Sequence, residues 1–435
     1  MTISKNFSIK SFFLLGIIIS FVIGFVFREF APGGAAADFD ARTWLLIESF
    51  KNNFYLTIKN YGKFGDASYP LFYIFNAYLN PFTSNKIQYL ISNTFISFIT
   101  FIFFSILLKK TLPRISLIDC YFSSSIILLL PFYRSSAYWG TTENLGWMFF
   151  VLSLYFFLKI KFSKKKYKKI NYFDPIIFCF LSSCALYTRP SLVFLPLTYM
   201  LYLFLINKNI KIIYLSILCY SIFSIPALIL FSIWGGFLDI KNMDSEIVAS
   251  HNYKFIIKNI PILLSYFAFY FFPILLIEIK EIGLKKFTSK YIITFIISFI
   301  FLIIFWQLNY LNYLEDLKYG GGAILKLNFL VKEENIFLML IACAFGFSII
   351  YALLKENFKF NICTLLPIFL IYGFPKFLFQ EYLEPLIIFI FFSGLLQTEL
   401  KQIFFKNINA ANITVMTYFS FYLVAATYYD LMWRN

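Results

Sequence analysis

The sequence predicts an all-α polytopic membrane protein with about thirteen transmembrane helices, and three observations carry that expectation. Of 435 residues, 60% are hydrophobic and 14% charged, with a mean hydropathy of +0.76; a soluble protein has about a quarter of its residues charged. The apolar residues fall in repeated runs of about 20, enough to cross a ~30 Å hydrocarbon core as helix. A helix also satisfies its own backbone polar groups, which lipid cannot do. Basic residues gather in alternate short loops. Almost nothing lies outside the spans and their connecting loops, so the chain reads as one transmembrane domain over 1–435.

The spans are expected at about 11–27, 87–108, 115–133, 144–160, 174–188, 190–206, 212–235, 259–279, 291–307, 336–354, 361–375, 383–397 and 411–429. The first follows Lys5 and Lys10 and precedes Ala35-Ala36-Ala37, a pattern shared with signal peptides. Its length, and Arg28-Glu29 before the alanines, favour an uncleaved span. Arg189-Pro190 argues for a break between 174–188 and 190–206, because proline cannot continue the hydrogen-bond ladder and arginine is costly in lipid.

Lys/Arg bias orients the chain with its N-terminus in the cytoplasm, in the plasma (inner) membrane. Lys109, Lys110, Arg114, the lysine run over 161–169, and Lys280, Lys285, Lys286 and Lys290 then lie inside. The longer loops, at about 28–86, 236–258 and 308–335, lie outside. The formal charge of +16 is therefore read as topology, not as nucleic-acid binding. The six cysteines, Cys120, Cys179, Cys184, Cys219, Cys343 and Cys363, all sit in apolar segments without C-x-x-C, and read as small hydrophobes.

Chemistry-bearing residues concentrate on the outer side. The first loop contains DFDARTWLLIESF and, further on, FGDASYPLFYIFNAYL. Asp38 and Asp40 come first. A surface helix over 41–58 is expected next, with Asp40 at its start and Trp44, Ile47, Phe54 and Ile58 as its apolar stripe. Asp66 precedes Tyr69-Pro70. The next outer segment reads YRSSAYWGTTENLGW, with Arg134, Tyr138, Trp139 and Glu143; the last is also a good first-turn acid for a helix. CALYTRPSLVFLPL carries Arg189, and FPKFLFQEYLEPLIIF carries Lys376 and Glu381.

The order of these four motifs resembles the GT-C superfamily of membrane glycosyltransferases, including aminoarabinose and protein mannosyltransferases. In that family an acidic residue or pair in the first outer loop precedes a juxtamembrane helix, a Tyr-Pro return to the membrane, an acid opening the fourth span and a basic hairpin. Glu381 departs from the pattern, since a basic residue is common there. The resemblance implies a sugar donor on a polyprenyl phosphate, a glycan or lipid acceptor, and a site on the outer face among membrane lipids. It implies that an acid takes the acceptor's proton, with Asp40 ranked first and Asp38, Asp66 and Glu143 supporting it. A divalent cation, Mg or Mn, would be held by Asp38 and Asp40 if by any residues.

Arg134 and Arg189 are candidates for the leaving phosphate, because a planar bidentate donor suits phosphate where lysine suffices for inside charge. Both stand at outer span ends and are expected to converge. Lys63, Lys376 and the lone His251 are further candidates, and Tyr69, Tyr138 and Trp139 are expected to line the cavity. The alternatives are a flippase for lipid-linked sugars, a polysaccharide polymerase or ligase, and a non-catalytic assembly partner. A flippase would need mid-span charges and paired halves.

Overall fold

A computed structural model describes residues 2–29, 35–66, 68–163, 171–236, 238–243, 259–307, 322–324, 337–375 and 378–434, excluding the side chains of 2–8, 163, 240, 305–307 and 430–434. The described residues are all helix, turn and loop, without strands. Nine of their helices are long and apolar enough to cross a membrane, and ten if one bent pair counts as a span. This is the build of a polytopic membrane protein. The chain divides into two compact units, Met1–His251 and Asn252–Asn435.

The first unit begins with α1, Thr2–Val26. The expected surface helix is two helices: α2, Trp44–Asn52, and α3, Phe54–Lys59. Asn53 between them is extended and its side chain accepts Leu56 N–H at 3.0 Å, so it ends one helix and caps the next. Trp44, Ile47 and Ile58 are buried as the stripe requires, but the break turns Phe54 outward. Asp40 lies in a wide helical turn over Phe39–Thr43, which continues the helix begun at Ala35 into α2, so it sits within the helical run and does not cap it. After α4, Leu71–Tyr78, comes α5, Lys86–Thr111, which Asn85 caps.

The expected span at 115–133 is bent. α6, Leu117–Ser124, continues through a tight turn to Leu129, and α7, Pro131–Trp139, leaves at 75°. Pro131 forces Leu130 out of the helical region and lacks the N–H needed to continue the ladder. Gly140 then turns in the left-handed region into α8, Glu143–Ser163. Buried amides join these helices: Asn93 donates to Ser136 O and Ala137 O, and Asn144 to Ser97 Oγ and Tyr133 O. As the sequence predicts, α9, Phe173–Thr188, ends at an extended Arg189, and a new span runs over Pro190–Asn207, containing α10, Phe194–Tyr202. α11, Ile210–Phe223, and α12, Ile225–Trp234, form the next span.

The second unit is built on α13, Asn259–Ile282, an enclosed helix, with α14, Leu284–Gln307, and α15, Phe337–Glu356. The expected span 361–375 is α16, Phe358–Tyr372, set three residues earlier, whereas the expected span 383–397 is shorter: α17, Leu386–Ser393, has all eight residues buried. Gly394, in the left-handed region, stops α17. The amphipathic α18, Glu399–Lys406, leads to α19, Ile408–Arg434.

α13 and α15 touch at Gly346, where a Cβ would lie 1.9 Å from Leu264 O. Small residues permit such close approach in membranes. Gly346→Ala should therefore cost roughly 1–3 kcal/mol, as overpacking does. The check is the thermal unfolding midpoint in detergent; an unchanged midpoint would mean the two backbones do not meet there.

Candidate functional site

The candidate residues of the first unit rest on one aromatic core formed by Phe39, Trp44, Phe50, Tyr61, Phe72, Tyr73, Tyr89 and Trp234 among others. A chain of contacts around this core joins the acids. Asp38 is followed by Phe39, whose ring stacks on Tyr89 at 5.9 Å. The Tyr89 hydroxyl donates to Gly140 O, three residues before Glu143. Glu143 Oε1 lies 3.3 Å from Arg189 Nη1, and Oε2 accepts from Ser136 Oγ at 3.2 Å. Arg189 also lies over the Trp147 ring, 5.5 Å from its centre. Two residues before Arg189, Tyr187 meets the edge of Tyr69 at 5.5 Å, and Tyr69 is three residues from Asp66. Asp66 is buried; it accepts Ser68 N–H at 2.6 Å and the Tyr73 hydroxyl.

The electrostatics agree with this arrangement. Asp38 is about half exposed and pairs loosely with Arg42 at 3.7 Å. Its proton affinity is nonetheless raised above the ordinary carboxylate value: crowding by protein is the largest cause, Arg42 opposes it, and the charges of Glu143 and Asp66 add to it. Burial, and then Asp66, push the Tyr61 and Tyr73 hydroxyls well above their usual range, and burial alone raises Tyr69. Asp38, Asp66, Glu143, Arg42 and Arg189 thus form one patch of three acids and two arginines, with a proton acceptor at its solvent side.

Other candidates lie apart from this patch. Asp40 is 63% exposed and pairs with Lys86 at 2.8 Å. Asp38 and Asp40 therefore point to separate cations and do not form a paired-carboxylate metal site. Among the described residues no group of three His, Cys, Asp or Glu could hold a metal ion. Among the described residues, Asp38 and Asp40 do not fit a divalent cation.

Arg134 is buried, and its donors go to Glu29 Oε1 and Oε2, Ser20 O, Ser20 Oγ and Leu128 O. Its guanidinium lies over Phe21 and Tyr138. All five N–H groups are spent inside the protein, so Arg134 secures α1 and offers nothing to a phosphate. Arg134 and Arg189 thus have different carboxylate partners and do not share one. Tyr138 donates to Phe21 O at 2.6 Å, and Trp139 to Glu29 O at 3.3 Å; both face α1. Lys63 is exposed on the turn before Asp66. Lys376 and His251 lie outside the described residues.

Three acids that sequence reasoning passed over have defined places. Glu29 is the partner of Arg134, and its position beside Arg28 after a span was the available signal. Asp239 is buried against Gly62. In the second unit, buried Glu384 accepts the hydroxyls of Tyr270 and Tyr422, and Gln380 donates to both tyrosines. Glu384 directly before Pro385, at the edge of an apolar run, was the signal there.

The chain matches no protein-family model, no curated protein and no solved structure.

Proposed function

We propose that this protein is a membrane glycosyltransferase of the GT-C kind, which moves a sugar from a polyprenyl phosphate to a glycan or lipid acceptor at the outer face of the plasma membrane. In this reading the chain crosses the membrane about thirteen times, the N-terminus is cytoplasmic, and the first loop and the ends of the third to sixth spans surround the reaction. The acceptor hydroxyl attacks the anomeric carbon, the bond from that carbon to phosphate oxygen breaks, and its electron pair leaves with the lipid phosphate. Asp38 takes the acceptor's proton. Arg189, with Arg42 nearby, meets the charge developing on the phosphate. Glu143 orients Arg189, and both Glu143 and Asp66 keep Asp38 basic. The observation that carries the reading is the patch itself: three acids and two arginines from four separate stretches of sequence, beside an aromatic core.

The test is the pH dependence of sugar transfer by purified protein in lipid nanodiscs, with polyprenyl-phosphate sugars as donors. A base must be ionised to work, so activity should fall on the acid side with a midpoint above the ordinary carboxylate value of about 4. Arg42→Gln removes a charge that lowers Asp38, so it should move that midpoint to higher pH. Glu143→Gln removes a charge that raises Asp38 and should move it to lower pH. A midpoint that neither variant shifts would exclude Asp38 as the titrating base.

A further inference from the structure

We infer that Asp239 is a positioning residue for the proposed transfer site, clamping from a second loop the turn that delivers Asp66. The catalytic consequence rests on the transferase reading; the clamp rests on geometry alone.

Asp239 follows α12 and is 2% exposed. A carboxylate is costly to bury unless its oxygens are hydrogen-bonded. Here Oδ2 accepts Gly62 N–H at 2.7 Å, and Asn242 Nδ2 donates to both oxygens at 2.8 and 3.0 Å. Asn242 also reaches Lys59 O at 3.3 Å, and Trp234 Nε1 donates to Ile58 O at 2.8 Å while its ring stacks on Tyr61 at 5.4 Å. Apart from the two Asn242–Asp239 bonds, which brace the loop itself, these contacts all fall on residues 58–62. Gly62 has no room for a side chain, since a Cβ would lie 2.2 Å from Asp239 O.

The clamped residues lead directly into the site. The turn Tyr61–Phe64 closes at Gly65 in the left-handed region, and Asp66 is next. The partners of the Asp66 carboxylate, Ser68 N–H and the Tyr73 hydroxyl, both lie C-terminal to it. On the N-terminal side, its backbone is held by the turn that Asp239 secures. Trp234, Asp239 and Asn242 therefore fix a charge whose field reaches Asp38.

The experiment uses full-length protein in lipid nanodiscs and two readouts. Hydrogen exchange, followed by mass spectrometry on peptides covering 58–66, reads the clamp without any substrate. Transfer from a polyprenyl-phosphate sugar, followed across pH, reads its consequence. Asp239→Ala should speed exchange at 58–66 and lower kcat, since a less basic Asp38 is a weaker proton acceptor. Once Asp66 is displaced, its charge no longer raises Asp38, so the acid-side midpoint should move to lower pH. Asp239→Asn keeps an acceptor for Gly62 N–H and should recover most of the exchange protection. Gly62→Ala disturbs the clamp from the other side and should reproduce Asp239→Ala if that variant fails to fold.

Unchanged exchange in both Asp239→Ala and Gly62→Ala would overturn the clamp. Faster exchange with wild-type kcat and midpoint would overturn the positioning role and leave Asp239 as a loop fastener. If wild-type protein turns over no polyprenyl-phosphate sugar, the transferase reading falls and the catalytic half goes with it, while exchange still decides the clamp.

Discussion

Asp38→Asn should lower sugar transfer by roughly 10²–10⁴-fold, the usual loss when a general base is removed, and Asp40→Asn should leave it near normal. The two residues stand two apart in one short stretch, so the contrast controls for general damage to the loop. Asparagine preserves the shape of Asp38 and can still accept a hydrogen bond, but it cannot take a proton at working pH. Asp40 points away from the patch, with 63% of its side chain exposed and Lys86 as partner. An exposed pair of that kind contributes about 0–1 kcal/mol. The measurement is release of polyprenyl phosphate in a single turnover, with donor retention on nanodisc-embedded protein followed separately. Asp38→Asn should retain donor as wild type does, because the arginines are untouched. Near-normal turnover by Asp38→Asn with a dead Asp40→Asn would restore the ranking drawn from sequence; near-normal turnover by both would remove the first loop from the chemistry.

That ranking shows where sequence reasoning reaches its limit. Asp40 looks like the first residue of a helix over 41–58, which would fix its backbone at the membrane edge. That helix is broken at Asn53, in a run that reads KNNFYL. Either asparagine can stand mid-helix or stop one, and only the folded loop selects the stop. Asn53 ends α2 and caps α3, while helical backbone already begins at Ala35 and passes through Asp40, so Asp40 is not the residue that opens the helix. A similar ambiguity hides the bend at Pro131. Hydropathy sees one apolar run over 115–133, whereas proline and the extended Leu130 split it, and α7 carries Arg134 away from the line of α6.

The helices themselves were legible because long apolar runs have few other solutions in lipid. The break at Arg189 was legible for the same reason, since Arg-Pro cannot sit inside a span. Ion pairing was less so. Arg189 is a phosphate candidate by sequence, and the structure pairs it with Glu143. Arg134 received the same weight, but its mate Glu29 is 105 residues earlier and follows a helix that resembles a signal peptide. No local pattern links the two. Gly24 is equally silent in sequence, yet a Cβ there would lie 2.5 Å from both Arg134 Nη2 and Glu29 Oε2.

The pairing of Arg134 with Glu29 leads to the second large expected effect. Glu29→Ala should destabilise the protein by roughly 3–5 kcal/mol, because it leaves the guanidinium buried without a counter-charge. Arg134 is 2% exposed and Glu29 14%, so water cannot easily replace the lost carboxylate. Arg134→Met alone should cost less, since the long apolar side chain fills much of the space and the remaining carboxylate is nearer to solvent. The double variant Glu29→Ala/Arg134→Met should recover stability relative to Glu29→Ala, as it removes the stranded charge. Unfolding midpoints of the four proteins in detergent give the cycle directly, and the coupling between the sites should be large and favourable. A phosphate-binding Arg134 would behave differently: Glu29→Ala would leave the midpoint in place, and the apparent affinity for a polyprenyl-phosphate sugar would change instead. With all five N–H groups bonded to Glu29, Ser20 and Leu128, the expected result is a loss of folding with unchanged donor affinity in whatever fraction folds.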